Sequence, residues 1–210
     1  MARTFKHILA VALLWPLAAS GQAIDLLAAG EDAWQPFDRD RWQFVDGEIR
    51  GRTAVLDGEK TDPAASTFLV SRRTFSGDYI VSLDVTFDEG RYLGVYLDFD
   101  QDTQSGMWLA TGHALAADAP DNEVERGYIK TVDKGAWIVR ATGELVIEKG
   151  KPVRLGFSHH GDDYSLWNDG RLIAVYRREG GYPAGPLQIR LTNASVRIHG
   201  LRVRTGKKKR

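Results

Sequence analysis

Residues 79–87 alternate without a break: Tyr79, Val81, Leu83, Val85 and Phe87 are apolar, while Ile80, Ser82, Asp84 and Thr86 between them are mostly polar. Successive side chains of a strand point to opposite faces, so such a run makes a strand with one face in a core and the other towards water. A helix would scatter the same apolar residues around its circumference. The pattern recurs in Leu93, Val95, Leu97 and Phe99, in Val153, Leu155 and Phe157, in Leu187, Ile189 and Leu191, and in Val196 and Ile198 followed by Leu201 and Val203. These runs predict half-buried strands of antiparallel sheet. Beyond the first residues, no segment carries a sustained 3.6-residue apolar stripe with caps, so helices are expected to be short or missing.

Turn residues punctuate the strands. Asp46-Gly47 separates Trp42–Val45 from Glu48–Arg50, and Asp169-Gly170 separates Tyr164–Asn168 from Arg171–Arg177; both pairs can supply the positive φ angles of a two-residue hairpin. Gly200 sits where the apolar face of the last strand changes phase, from Ile198 to Leu201, and this predicts a bulge. Roughly twelve strands at a spacing of about 8–12 residues suit a two-layer packing. The expected fold is an all-β, two-sheet antiparallel β-sandwich of the jelly-roll kind over residues 24–204, with a closed barrel as the alternative.

The first 23 residues read differently. Arg3 and Lys6 precede an apolar run from Ile8 to Ala19, and Ser20, Gly21 and Ala23 follow, the order of a secretory signal peptide cleaved after Ala23. The run of about 12 apolar residues is too short for a bilayer core that needs about 20, so no transmembrane segment is expected. A periplasmic or secreted protein is the implied destination. Residues 205–210 end in four basic side chains, Lys207 to Arg210, and read as a solvated tail. With no Cys in the chain, disulfides, thiolate metal sites and a Cys nucleophile are excluded. Equal numbers of basic and acidic residues, 28 of each, argue against a nucleic-acid partner.

Several motifs lie in family-like order. Trp42, Val45, Asp46, Gly47, Ile49 and Gly51 make W-x-x-V-D-G-x-I-x-G, Leu69 to Tyr79 make L-x-S-x-x-x-F-x-G-D-Y, Trp167 to Gly170 make W-N-x-G, and Pro183 to Gly185 lead into the last two strands. This order resembles the concanavalin A-like lectin/glucanase sandwich, and within it the 3-keto-disaccharide hydrolase-like domains. The resemblance spans most of residues 24–204 and implies the sandwich fold and a glycan or small sugar as partner. At Tyr92-Leu93-Gly94 and Gly127-Tyr128-Ile129 the chain lacks the Asn and Glu that the family tends to carry, so no catalytic set is carried over.

The candidate binding surface follows from parity. Opposite the core side of the strand near Leu93 to Phe99 stand Tyr92, Gly94, Tyr96 and Asp98, with positions two apart about 7 Å from one another. Trp108 has the parity opposite to Met107 and Leu109 and joins the same face. Aromatic planes stack on the C–H side of a sugar ring while polar groups take its hydroxyls. This predicts a glycan groove lined by Tyr92, Tyr96 and Trp108, with Gly94 bare so that the sugar can approach; packing beneath a long loop is the alternative.

A hydrolytic alternative uses Glu123 and Glu125, which with Asp121 share one face if the stretch is extended, with His113 as a further acid/base candidate. Such neighbours could approach the about 5–5.5 Å of a retaining glycosidase; a solvated acidic loop is the other reading. Asp98, Asp100 and Asp102 open like a calcium loop, but Thr103 stands where an EF-hand needs Gly and no closing Glu follows. His159-His160-Gly161-Asp162-Asp163 reads as an exposed turn whose adjacent histidines point apart. No metal site and no cofactor are expected. A structural or protein-binding sandwich is the non-catalytic alternative, and the oligomeric state is not legible.

Overall fold

A computed structural model describes residues 22–53, 66–90, 92–113 and 125–206. The strands are β1 (Ala23–Asp25), β2 (Trp42–Val45), β3 (Glu48–Arg52), β4 (Thr67–Phe75), β5 (Tyr79–Glu89), β6 (Leu93–Asp100) and β7 (Ser105–His113), then β8 (Glu125–Asp133), β9 (Ala136–Glu144), β10 (Pro152–His160), β11 (Asp163–Asn168), β12 (Arg171–Arg177), β13 (Gly185–Leu191) and β14 (Ser195–Thr205). One 3-10 turn, Gly30–Ala33, lies between β1 and β2. Among the described residues no helix is long and apolar enough to cross a membrane.

The strands form two antiparallel sheets, as the alternation requires. One has eight strands in the order β12-β11-β10-β5-β14-β3-β2, with β1 also paired to β14; the other has six, in the order β4-β13-β6-β7-β8-β9. The fold is a two-sheet β-sandwich. The apolar residues of β5 (Val81, Leu83, Val85, Phe87) meet those of β6, β7 and β13 (Val95, Leu97, Met107, Leu109, Ile189) in one buried core between the sheets. The strand β14 is long enough to serve two partners on one side, with Ser195–Ile198 beside β3 and Arg202–Arg204 beside β1.

Turn chemistry explains the hairpins. Asp46 and Gly47 take φ of 53° and 78°, and Asp169 and Gly170 take 47° and 81°, as a hairpin turn with two positive φ angles needs. Lys134 and Gly135 do the same between β8 and β9, at 51° and 78°; a lysine in the first position gave no turn signal. The W-x-x-V-D-G-x-I-x-G motif is a hairpin whose ends meet, since Trp42 pairs directly with Gly51. A Cβ on Gly51 would lie 2.8 Å from Trp42 Cε3 and 2.5 Å from Leu191 Cδ1, so only glycine leaves room for the buried indole. The indole Nε1 donates to Thr67 Oγ1 at 3.0 Å and ties this hairpin to the other sheet.

The outer face of the eight-stranded sheet is charged and self-paired. Arg154 meets Asp84 at 2.6 Å, Arg197 meets Asp88 at 2.8 Å, Arg202 meets Asp25 at 3.3 Å and His199 meets Glu48 at 3.1 Å. Such exposed pairs each add about 0–1 kcal/mol. The outer face of the six-stranded sheet is built differently.

Candidate functional site

The six-stranded sheet carries a second apolar cluster on the side away from the core, made of Tyr96, Phe99, Trp108, Ala110, Tyr128 and Val132 with Tyr92 packed against it. Parity puts them there. Strand β6 sends Leu93, Val95 and Leu97 inward, which leaves Gly94 and Tyr96 outward with Tyr92 just before them; β7 sends Met107 and Leu109 inward and Trp108 outward. The register then sets Tyr96 opposite Trp108 and Gly94 opposite Ala110. The Tyr96 and Trp108 ring centroids are 4.4 Å apart, Tyr92 lies 6.4 Å from Trp108, and Tyr128 of β8 lies 6.1 Å from Tyr92. Trp137 of β9 stands edge-on to Trp108 at 5.5 Å, and Phe68 of β4 is stacked on Tyr96 at 6.4 Å.

The sequence-predicted residues therefore come together, but their parts differ from those expected. Tyr96 is 3% exposed and Trp108 is not exposed at all, so both rings form the floor of the cluster rather than an open stacking surface. The rings that face outward are Trp137 and Phe68, each 41% exposed. Gly94 is bare for a different reason from the one parity suggested. A Cβ there would lie 2.5 Å from Cη2 and 2.8 Å from Cε2 of Trp108, whose indole fills the space assigned to a sugar. Gly94→Ala should accordingly push the indole off its seat and cost on the order of 1–3 kcal/mol, as overpacking does. Chemical denaturation together with the near-ultraviolet signal of the tryptophans checks this, and an unchanged midpoint would mean that the indole moves aside freely.

Two cations complete the face. Arg190 of β13 donates to Ser66 Oγ through Nε at 3.0 Å and Nη2 at 2.8 Å, and to Tyr96 Oη through Nη1 at 3.4 Å. Its guanidinium lies 5.4 Å from the Trp108 ring, 5.4 Å from Trp137 and 5.5 Å from Phe68. Lys130 Nζ lies 4.6 Å from the Tyr128 ring and 5.8 Å from Trp137. These distances suit cation–π attraction. Burial, with Arg190 adding to it, lowers the Lys130 pKa from its ordinary value. Burial likewise pushes the Tyr96 phenol up to about 12, against the pull of Arg190. Trp108 Nε1 and Tyr128 Oη are buried in the floor of the cluster, where Tyr128 interacts with both Trp108 and Tyr92.

Glu123 and Asp121 lie outside the described residues, and Glu125 opens β8 with its backbone opposite His113. Asp98 is a correction. Parity put it on the outer face, but the ladder between β6 and β7 shifts between Leu97 and Asp100, and Asp98 takes a φ of 51°. This irregularity turns its side chain into the interior, where it is 1% exposed and accepts hydrogen bonds from Tyr79 and Tyr164 Oη, each 2.9 Å long. Asp100 instead closes its own turn, accepting from Asp102 N and Thr103 Oγ1, so the three aspartates do not converge as a calcium loop would. His159 is also not in an exposed turn: it lies one residue before the end of β10 at 8% exposure, with Nδ1 2.8 Å from Asp98 Oδ2. His160 points the other way, to Asp78 at 2.9 Å.

Phe68, Tyr128, Lys130, Trp137 and Arg190 are the residues that sequence reasoning missed. Arg190 carried a parity signal, because it interrupts the apolar Leu187, Ile189 and Leu191, whereas Phe68 and Trp137 lie in the unbroken apolar runs Phe68-Leu69-Val70 and Trp137-Ile138-Val139. What the alternation could not supply was the strand order, in which β13 lies between β4 and β6 and brings Arg190 beside Tyr96.

No family model and no curated protein matches the chain. Solved structures do. The carbohydrate binding module CBM66 from Bacillus subtilis is 16% identical, with 82% of this chain and 96% of that one covered at a TM-score of 0.58. The carbohydrate recognition domain of Emp47p is 13% identical, with 90% and 97% covered at a TM-score of 0.58. A Bacillus subtilis protein of unknown function with a galectin-like fold is 12% identical, with 90% and 91% covered, again at 0.58. At such identities the likeness establishes the architecture alone, a two-sheet antiparallel β-sandwich over most of the chain.

Proposed function

We propose that the protein binds a carbohydrate on the outer face of its six-stranded sheet, with Trp137 and Phe68 as the stacking rings and Tyr92, Lys130 and Arg190 around them. The observation that carries this reading is the ring cluster itself. Globular sheets seldom place a second aromatic core on a face away from the first unless something covers or uses it. Here its outward rings stand next to the donors of Arg190 and Lys130, the combination that sugars favour. Neighbours described as a carbohydrate binding module and a carbohydrate recognition domain support the same reading. The narrower likeness to 3-keto-disaccharide hydrolase-like domains belongs with it. Its motifs occupy turns and core positions, which speak for the fold rather than for a reaction, and the role proposed from the ring cluster is binding.

A glycan array on residues 24–210 tests the reading, followed by titration calorimetry with a responding oligosaccharide. Trp137→Ala should weaken binding about fivefold, the equivalent of about 1 kcal/mol of stacking, without changing the melting temperature. Affinity equal to wild type would remove this face from consideration.

Export is part of the proposal. The leader in residues 1–23 is expected to be cleaved, so mass spectrometry of the protein recovered outside the cytoplasm should find an N-terminus at Ile24. Protein carrying Met1 there would overturn it.

A further inference from the structure

We propose that the saccharide taken by this face is anionic, its carboxylate or sulfate groups held by Arg190 and Lys130 beside Trp137. The inference rests on the saccharide reading above and narrows its ligand class.

Three observations converge on it. First, the two cations share one exposed ring: Arg190 lies 5.4 Å and Lys130 5.8 Å from Trp137. Second, among the described residues neither forms an ion pair. Arg190 is met by neutral hydroxyls of Ser66 and Tyr96, and Lys130 by the faces of Tyr128 and Trp137. This contrasts with the other sheet, where Arg154, Arg197 and Arg202 each face an aspartate and His199 faces a glutamate. In a chain with equal acidic and basic counts, a pair of uncompensated cations on one aromatic face is a local excess. Third, the two cations oppose each other, since both burial and Arg190 lower the Lys130 pKa. An anion bound between them would relieve that repulsion.

The chemistry fits a charged sugar better than a neutral one. Ring faces take the C–H side of the saccharide, and a guanidinium already fixed by Ser66 and Tyr96 presents its remaining donors in a geometry suited to a planar carboxylate or a sulfate. A neutral saccharide would leave both charges half-buried and uncompensated, which costs affinity.

Matched pairs test the idea: oligogalacturonate against its methyl ester, and dextran sulfate against dextran, titrated into residues 24–210 at low and high salt. The acidic member of at least one pair should bind about tenfold tighter, the scale of a charge-assisted hydrogen bond. That preference should shrink as salt screens it. Lys130→Gln and Arg190→Lys should each reduce the preference for the acidic member of the pair, and Arg197→Gln on the other sheet should leave it unchanged. Which pair responds tells a carboxylate from a sulfate ligand. Equal affinities within both pairs, with binding still weakened in Trp137→Ala, would overturn the charge inference and keep the saccharide reading. No binding of any acidic or neutral saccharide to the wild type would overturn both.

Discussion

Asp98→Ala is expected to lower the unfolding free energy by about 3–5 kcal/mol, the cost of removing one partner from a buried charged network. The carboxylate takes two phenol hydrogen bonds, from Tyr79 of β5 and Tyr164 of β11, and stands 2.8 Å from His159 of β10, so it links three strands of the eight-stranded sheet to β6 of the other. Its loss leaves two buried phenols and an imidazole without their acceptor. The histidine makes the network sensitive to pH. Its Nε2 lies 2.7 Å from the Gly161 carbonyl and its Nδ1 faces the carboxylate, so both nitrogens meet acceptors and the doubly protonated ring suits the site. Burial works against that charge, but the Asp98 hydrogen bond and charge, the Gly161 carbonyl and Asp78 outweigh it and raise the His159 pKa above its ordinary value. A pKa raised on folding means that the fold binds the proton more tightly than the unfolded chain does. The contribution is therefore complete below the unfolded value of about 6.5 and is lost as pH rises through the raised folded value. Denaturant midpoints across that range check it. The relevant quantity is wild type minus His159→Gln, which should shrink towards alkaline pH. A difference that grows with pH would show that the histidine is held neutral.

The elements that strand parity and turn chemistry control were legible in the sequence. The inward set of β5, the Asp-Gly hairpins and the bulge before Gly200 each follow from a local rule, and the coordinates place them accordingly. The outward parity of Tyr92, Tyr96 and Trp108 was legible for the same reason. Other features depend on contacts between distant segments. Exposure of the rings depends on Trp137 and Arg190, which arrive from strands 29 and 82 residues after Trp108 in the numbering but next to it in space. Asp98 shows the limit of parity most clearly: one residue with positive φ breaks the alternation, and nothing in L-D-F-D marks which aspartate turns inward. His159 was hidden by the same event, because an imidazole becomes a core residue only once a buried carboxylate faces it.

Leu83→Ala is expected to cost about 2–5 kcal/mol, while Ser82→Ala one position away should be nearly silent. Leu83 lies midway along the central strand β5, in register with Leu155 of β10 and Leu201 of β14, so three leucines stand side by side across the sheet with no exposure. Truncation opens a void that strands fixed on both sides by ladder hydrogen bonds cannot collapse to fill, and this favours the upper part of the range. Ser82 lies on the other face, opposite Gly156 and Arg202, where a lost hydroxyl leaves no cavity. The alignment of Leu83 with Leu201 depends on the bulge. Ile198 pairs with Val85 and Gly200 with Asp84, so the bulge leaves His199 unpaired and keeps Leu201, three residues after Ile198, on the same inward face beside Leu83. Deleting His199 should remove the bulge and leave Val196, Ile198, Leu201 and Val203 in one unbroken inward alternation, so that only its contacts with Thr86 and Glu48 are lost and the cost is smaller than that of Leu83→Ala. Urea unfolding of the three variants measures the contrast. Equal midpoints for Leu83→Ala and Ser82→Ala would mean that β5 is set one residue out of register.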